Sequence, residues 1–213
     1  MLSNRDVSCI IRPISVTSIL CRTLEKIIIR RYLYPVLVHP DFKHIFRDQF
    51  AFRPTGSTTA ALINLLHKIS VLLEKHEFVH LIGFDFSKAF DSVRHSSLIN
   101  KIAQFPIPNN IHNWLVEYLD SRHHCTKYNN AISKILEINA SFVQGSLINP
   151  IAYVLNTSDL RALHPENDLN KYADDTYLIV PSSNSHTVVQ ELEHVSEWAA
   201  ENNLKLNWSY TDH

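Results

Sequence analysis

The sequence predicts an α+β fold, an antiparallel sheet with helices on one face. Three observations carry this reading. Short apolar runs of strand length occur at Phe78–Phe84 and around Tyr177–Val180. Segments with Leu, Ile and Val at helical spacing lie among them, in a mixed order that does not suit a doubly wound parallel sheet. No internal repeat and no Gly/Ser linker divides the chain, so the elements share one unit.

In chain order, residues 14–33 are expected to be helical. Leu20, Leu24, Ile27 and Ile28 fall on one face, and Lys26, Arg30 and Arg31 lie near the end where the dipole favours cations. Pro35 and Pro40 then break the pattern. Ser57 or Thr58 caps a second helix whose Leu62, Leu65, Leu66, Ile69, Leu72 and Leu73 recur at helical spacing, and His76-Glu77 closes it. The run 78–84 reads as a buried strand ending at Asp85. After a polar turn comes a helix near 96–103. Pro106 and Pro108 precede another, with Ile111, Trp114, Leu115, Tyr118 and Leu119. Residues 125–142 contain strand-like stretches such as 135–138. A helix over about 148–163 follows Gln144-Gly145-Ser146. Tyr172–Val180 reads as two strands folding about the pair Asp174-Asp175. Ser185 starts a last helix with Val188, Leu192, Val195 and Ala199 inward, ending at Asn202-Asn203, and 204–207 forms an edge strand.

The 213 residues are 45% apolar and 19% charged, a globular balance that excludes a disordered tail. No apolar run approaches membrane-spanning length, and Met1–Asp6 lacks a signal-peptide core, so no membrane partner is expected. Cys9, Cys21 and Cys125 are odd in number and widely spaced, indicating neither a disulfide framework nor a zinc site. A reducing intracellular compartment follows as the simplest inference, with nucleus and cytoplasm both open. His123-His124-Cys125 lacks metal-ligand spacing and reads as surface loop. Residues 1–84 hold 11 Lys/Arg against 6 Asp/Glu (+5), and residues 85–213 hold 9 against 15 (−6). That asymmetry suits an anionic ligand on one side and bound cations on the other.

Asp85 at a strand end and the adjacent Asp174-Asp175 stand out chemically. Two carboxylates about 4 Å apart repel by roughly 4 kcal/mol at an effective dielectric of ~20. Lys171 or, better, a divalent cation offsets that repulsion, and hard oxygen donors of this kind select Mg²⁺. An ordinary Asp-Asp turn is the competing reading.

Five ordered blocks shift the balance. They are Ile11-Arg12-Pro13-Ile14-Ser15; Asp48–Leu62; Gly83-Phe84-Asp85-Phe86-Ser87-Lys88-Ala89-Phe90-Asp91; Val143-Gln144-Gly145-Ser146; and Tyr172-Ala173-Asp174-Asp175-Thr176. Together they resemble the reverse transcriptase of non-LTR, LINE-like retrotransposons over about residues 11–211. The resemblance implies a polymerase palm, with a ferredoxin-like antiparallel sheet, over 78–213, and a fingers part over 1–77. It implies an RNA-directed DNA polymerase that joins deoxynucleotides to a DNA primer on an RNA template. Asp85, Asp174 and Asp175 would be the catalytic metal ligands for two Mg²⁺ ions, with Mn²⁺ able to substitute. Arg12, Arg53, Phe86, Phe90, Gln144 and Gly145 would meet the nucleotide, and the Phe90 ring would exclude a 2′-hydroxyl.

The sequence departs from the family pattern at three places. Ser141-Phe142-Val143 stands where Gly-Val-Pro is usual, Asn149 where a Gly is usual, and Tyr210 where a Lys is usual. Asn149 is expected to keep the turn by taking a left-handed conformation. No thumb, endonuclease or Cys/His knuckle is legible, so the expectation is a fingers–palm fragment apart from the rest of an element polyprotein. The alternative reading is a degenerate, inactive remnant that retains nucleic-acid binding. A more distant one is another palm-type enzyme, such as a nucleotide cyclase.

Overall fold

The computed structural model describes residues 17–120, 122–142 and 145–207. Helix α1 (Ile19–Ile28) starts at Ser18, whose hydroxyl accepts the Cys21 N–H at 3.2 Å. It runs through a π-helical turn at Ile29–Leu33 into α2 (Tyr34–Val38). Pro35 therefore does not break the helix. The Tyr34 N–H already reaches back to Ile29 O, and this widened turn accommodates a residue that brings no N–H of its own. The inward face is also not the one predicted. Glu25, Ile28, Ile29 and Leu33 are buried, whereas Leu20, Leu24 and Ile27 are exposed. Helix α1 turns this way because the Glu25 carboxylate has a partner inside, described below.

Helix α3 (Thr58–Leu73) is capped as predicted, the Ser57 hydroxyl accepting Ala60 N–H at 3.0 Å. Ala61 and Leu65 face inward, and Leu62, Leu66 and Leu73 are exposed. Its contact with the sheet is largely polar and correspondingly narrow. Asn170 donates to Ala61 O at 3.0 Å, Asn64 donates to Asn170 at 3.3 Å, and Lys68 pairs with Asp168.

Strand β1 (Val79–Phe84) leads through Asp85 into β2 (Phe86–Ser87), α4 (Ala89–Ser92), α5 (His95–Ile102) and α6 (Asn109–Leu119). The strands β3 (Arg122–His124), β4 (Lys127–Tyr128), β5 (Ala131–Ile132) and β6 (Leu136–Ile138) follow. His123 and His124 thus lie in a strand paired with β6, surface-exposed as expected but not in a loop. Next come α7 (Ile148–Asn156), β7 (Asp168–Tyr172), β8 (Asp175–Pro181), α8 (Val188–Glu201) and β9 (Lys205–Leu206). Helix α7 stops seven residues short of the prediction. The carbonyls of Thr157 and Leu160 turn instead to the buried Lys171 ammonium, at 3.2 and 3.0 Å.

The main sheet has the order β1-β8-β7, antiparallel throughout, and β9 pairs with β2. Phe84, Leu169, Leu178 and Val180 point to one side, into a core shared with Leu98, Ile102, Leu115, Leu155 and Val195. Each such buried side chain contributes about 1.5–3 kcal/mol of hydrophobic stabilisation. Asp168 and Asn170 alternate with Leu169 and Lys171 along β7 and reach α3, so that helix covers part of the opposite face. Helices are accordingly not confined to one face of the sheet, as the sequence suggested. Among the described residues no helix is long and apolar enough to cross a membrane, and Cys21 and Cys125 are unpaired thiols.

Candidate active site

Two strand ends bring the acidic residues together. The β1–β8 ladder ends with Phe84 paired to Thr176, so Asp85 and Asp175 are the next residues along the two strands at the same end of the sheet. Tyr172 pairs with Asp175, which leaves Ala173 and Asp174 as the two turn residues of the β7–β8 hairpin. The fold centre of the Asp pair is thus shifted one residue towards the N-terminus from a turn made by both carboxylates.

Ala173 has φ 57°, a left-handed conformation costing a non-glycine residue about 1–2 kcal/mol. Gln49 supports it from the other end of the sequence. Its Oε1 accepts the Ala173 N–H at 3.1 Å and the Ala51 N–H at 2.9 Å, and its Nε2 donates to Ala173 O at 3.5 Å. Asn207 approaches from the β9 end. Its N–H donates to Asp85 O at 2.8 Å and its side-chain amide to Asp85 Oδ2 at 3.1 Å.

Behind the carboxylates lies an aromatic cluster. The Phe90 ring is 4.7 Å from that of Tyr153, 6.4 Å from Phe52 and 6.5 Å from Phe142. Tyr153 is fully buried, and its hydroxyl has no hydrogen-bond partner among the described residues. Burial raises its pKa well above the usual range, and the charges of Asp174 and Asp175 raise it further. One hydroxyl therefore feels both carboxylates.

Gly145 has φ 99°, and Ser146 beyond it accepts the Ile148 N–H at 3.2 Å and the Tyr118 hydroxyl at 2.7 Å. The Glu25 carboxylate, fully buried, crosses from α1 to accept the Leu147 N–H at 2.8 Å, where the positive end of the α7 dipole favours an anion. The loop at 145–147 is thus tied to both α6 and α1.

The remaining site residues predicted from sequence fall into three groups. Arg12, Gln144 and Tyr210 lie outside the described residues. Arg53 is half-buried, with Nη1 donating to Phe46 O and, at 2.9 Å, to Gln49 O, and burial lowers its pKa. Phe86 is a correction, since its side chain packs in the core with its ring 6.0 Å from Trp198. Strand alternation explains this, because Phe86 follows Asp85 and points the opposite way. Asn149 is a second correction. It sits inside the first turn of α7 with ordinary helical backbone, so no left-handed turn exists there for a glycine to serve. Ser141, by contrast, has φ 89° at the position where the family pattern has Gly.

Gln49, Asn207, Tyr153 and Glu25 had no individual role in the sequence reading. Gln49 lies inside a block that carried the resemblance, Asp48–Leu62, and Asn207 inside the expected edge strand 204–207. Nothing in the apolar run around Tyr153, or in the helical pattern around Glu25, marks either residue.

Among the described residues no three His, Cys, Asp or Glu side chains group closely enough to hold a metal ion by themselves. Mg²⁺ does not require such a cage, since it is commonly held by one or two carboxylates with phosphate oxygens and water. Asp85, Asp174 and Asp175 supply hard oxygen donors of that chemical type.

A three-stranded antiparallel sheet thus carries acidic residues just past one strand end and at the neighbouring hairpin turn. The chain belongs to the reverse transcriptase (RNA-dependent DNA polymerase) family, whose model matches residues 8–212. It is 30% identical to the probable RNA-directed DNA polymerase from transposon BS of Drosophila melanogaster, over 92% of this chain and 22% of that protein. It is 27% identical to the RNA-directed DNA polymerase from mobile element jockey of the same species, with the same coverage. It therefore contains a reverse transcriptase domain similar to those of transposon-encoded RNA-directed DNA polymerases, and it spans about a fifth of the length of these relatives. The fold resembles telomerase from Candida tropicalis in complex with a fragment of telomeric RNA. The TM-score is 0.62 and the identity 15%, covering 86% of this chain and 34% of that one.

Proposed function

We propose that this domain catalyses RNA-templated addition of deoxynucleotides to a DNA primer, with 1–77 serving as fingers and 78–213 as palm. The observation that supports this best is the β1–β8 register, which ends with Asp85 and Asp175 as the next residues at one end of the sheet, beside the Asp174 turn. In the reaction the primer 3′-oxygen bonds to the α-phosphorus, the bond from that phosphorus to the bridging oxygen breaks, and pyrophosphate leaves. Mg²⁺ ions, when bound, neutralise the phosphates and lower the pKa of the attacking hydroxyl.

Asp85, Asp174 and Asp175 hold that charge in place, and Asn207 orients Asp85 through its hydrogen bond to Oδ2. Phe90 is backed by Tyr153, so its ring cannot retreat from a ribose 2′-hydroxyl without disturbing a packed contact. Gly145 permits close backbone approach to the nucleotide, and the family resemblance assigns Gln144 and Arg12 to the same substrate. Arg53 steadies the fingers loop through Phe46 O and Gln49 O.

Primer extension on an RNA template, with each dNTP and Mg²⁺, tests the reading. Wild-type protein should extend the primer, and Asp85→Asn should reduce extension at least 1,000-fold, roughly the scale of losing a key electrostatic group. Extension by Asp85→Asn at the wild-type rate would remove Asp85 from the mechanism.

A further inference from the structure

The strongest unassigned feature is the join between the loop at 46–53 and the β7–β8 hairpin. Gln49 and Lys171 form a parallel β-bridge, in which Lys171 N–H donates to Asp48 O at 2.7 Å and Phe50 N–H donates to Lys171 O at 2.9 Å. Side chains lock the same join. Asp48 Oδ2 meets Lys171 Nζ at 3.1 Å and Arg161 Nη1 at 3.2 Å, with Asp48 and Lys171 both almost fully buried. Arg161 also donates to Ile45 O and, at 2.7 Å, to Leu160 O.

The bridge leaves the Gln49 carboxamide beside Ala173, to which it is bonded on both the N–H and C=O sides. Gln49 is 2% exposed, so water does not compete for these bonds. Ala173 is the left-handed residue of the turn, and the two residues after it are Asp174 and Asp175.

We propose that Gln49 is a positioning residue: its carboxamide clamps Ala173 in the left-handed conformation and so fixes where the Asp174 and Asp175 carboxylates point. The fingers loop thereby sets the geometry of the acidic turn, 124 residues away in sequence. The catalytic consequence rests on the polymerase reading above, whereas the clamp itself does not.

Four variants of the full chain test the clamp: Gln49→Leu, Gln49→Asn, Ala173→Gly and Gln49→Leu/Ala173→Gly. Gln49→Leu removes both bonds to Ala173 together with the acceptor of the Ala51 N–H, and Gln49→Asn keeps the chemistry but withdraws it by one methylene. Amide hydrogen exchange over residues 172–176 should speed up about tenfold in both single Gln49 variants, with the distant helix α8 unchanged. In primer extension, Gln49→Leu should lower kcat about 10–100-fold with KM for dNTP within about threefold, as for a misplaced catalytic group. Glycine adopts the left-handed conformation without a clamp, so the double variant should recover at least about fivefold of kcat without a rise in Tm.

Unchanged exchange at 172–176 in both Gln49 variants overturns the proposal. So does a loss of kcat that tracks Tm alone and is not rescued by Ala173→Gly. If wild-type protein extends no primer, the polymerase reading falls, and the exchange result still decides the clamp.

Discussion

Replacing Glu25 tests how helix α1 is held to the loop at 145–147. The carboxylate is fully buried, accepts the Leu147 N–H at 2.8 Å through Oε2, and receives the Cys21 thiol at 3.4 Å through Oε1. A charged acceptor on a backbone N–H contributes about 1.5–3 kcal/mol. Its place at the α7 N-terminus overlaps with that figure and adds at most about 1 kcal/mol. Glu25→Ala also opens a void between α1 and α7, so the expected cost is roughly 3–4 kcal/mol. Glu25→Gln keeps the shape and one acceptor oxygen and should cost only about 1 kcal/mol. At roughly 2–4 °C per kcal/mol for a chain of this size, thermal unfolding followed by circular dichroism should show Tm lower by about 6–16 °C for Ala and 2–4 °C for Gln. Hydrogen exchange at 145–148 should rise in both. A Glu25→Ala protein melting within 1 °C of wild type would refute the reasoning, because a buried cap cannot then be holding the two elements together.

Other positions give separate tests. Ser141→Gly should raise Tm by about 2–4 °C, because Ser141 at φ 89° carries a left-handed strain of about 1 kcal/mol that glycine does not; an unchanged or lower Tm would contradict this. Burial lowers the Lys171 pKa from 10.5 to about 8, more than the nearby Asp48 raises it. Between pH 8 and 10.5 the unfolded chain therefore binds more protons at this residue than the folded one, and its contribution to stability rises with pH. Denaturant melts should show wild type gaining on Lys171→Met across that window by a few kcal/mol at most, and a gap that widens against wild type would overturn the assignment. Phe90→Ala should raise incorporation of ribonucleotides relative to deoxynucleotides at least tenfold in primer extension, the scale of a removed steric contact. A ratio equal to that of wild type would show that the ring does not face the sugar.

Legibility in the sequence followed the range of the physics. Local signals were readable in part: the Ser57 cap and a strand ahead of Asp85 form as expected, but that strand is only partly buried and the turn expected about Asp174-Asp175 is made by Ala173 and Asp174. The inward faces of α1 and α3 were not. Apolar periodicity assigns Leu20, Leu24 and Ile27 to the interior, but a single buried carboxylate turns α1 so that Glu25 faces inward instead. The acidic site was legible as residue types in order, and its geometry became visible only through the β1–β8 register. Gln49 was hidden for the same reason, since its partner Ala173 lies 124 residues on and no local pattern joins them. Phe86 shows the converse. The resemblance implied a nucleotide contact, and strand alternation sent its ring into the core.

Divalent-ion binding tests the central claim most directly. Mn²⁺ bound to the chain can be counted by electron paramagnetic resonance, with and without a dNTP, in wild type and in Asp174→Asn. The account predicts weak binding to the wild-type chain alone, binding strengthened at least about tenfold by the dNTP whose phosphates complete the coordination, and loss of that gain in Asp174→Asn. Equal dNTP-dependent binding by wild type and Asp174→Asn would contradict it.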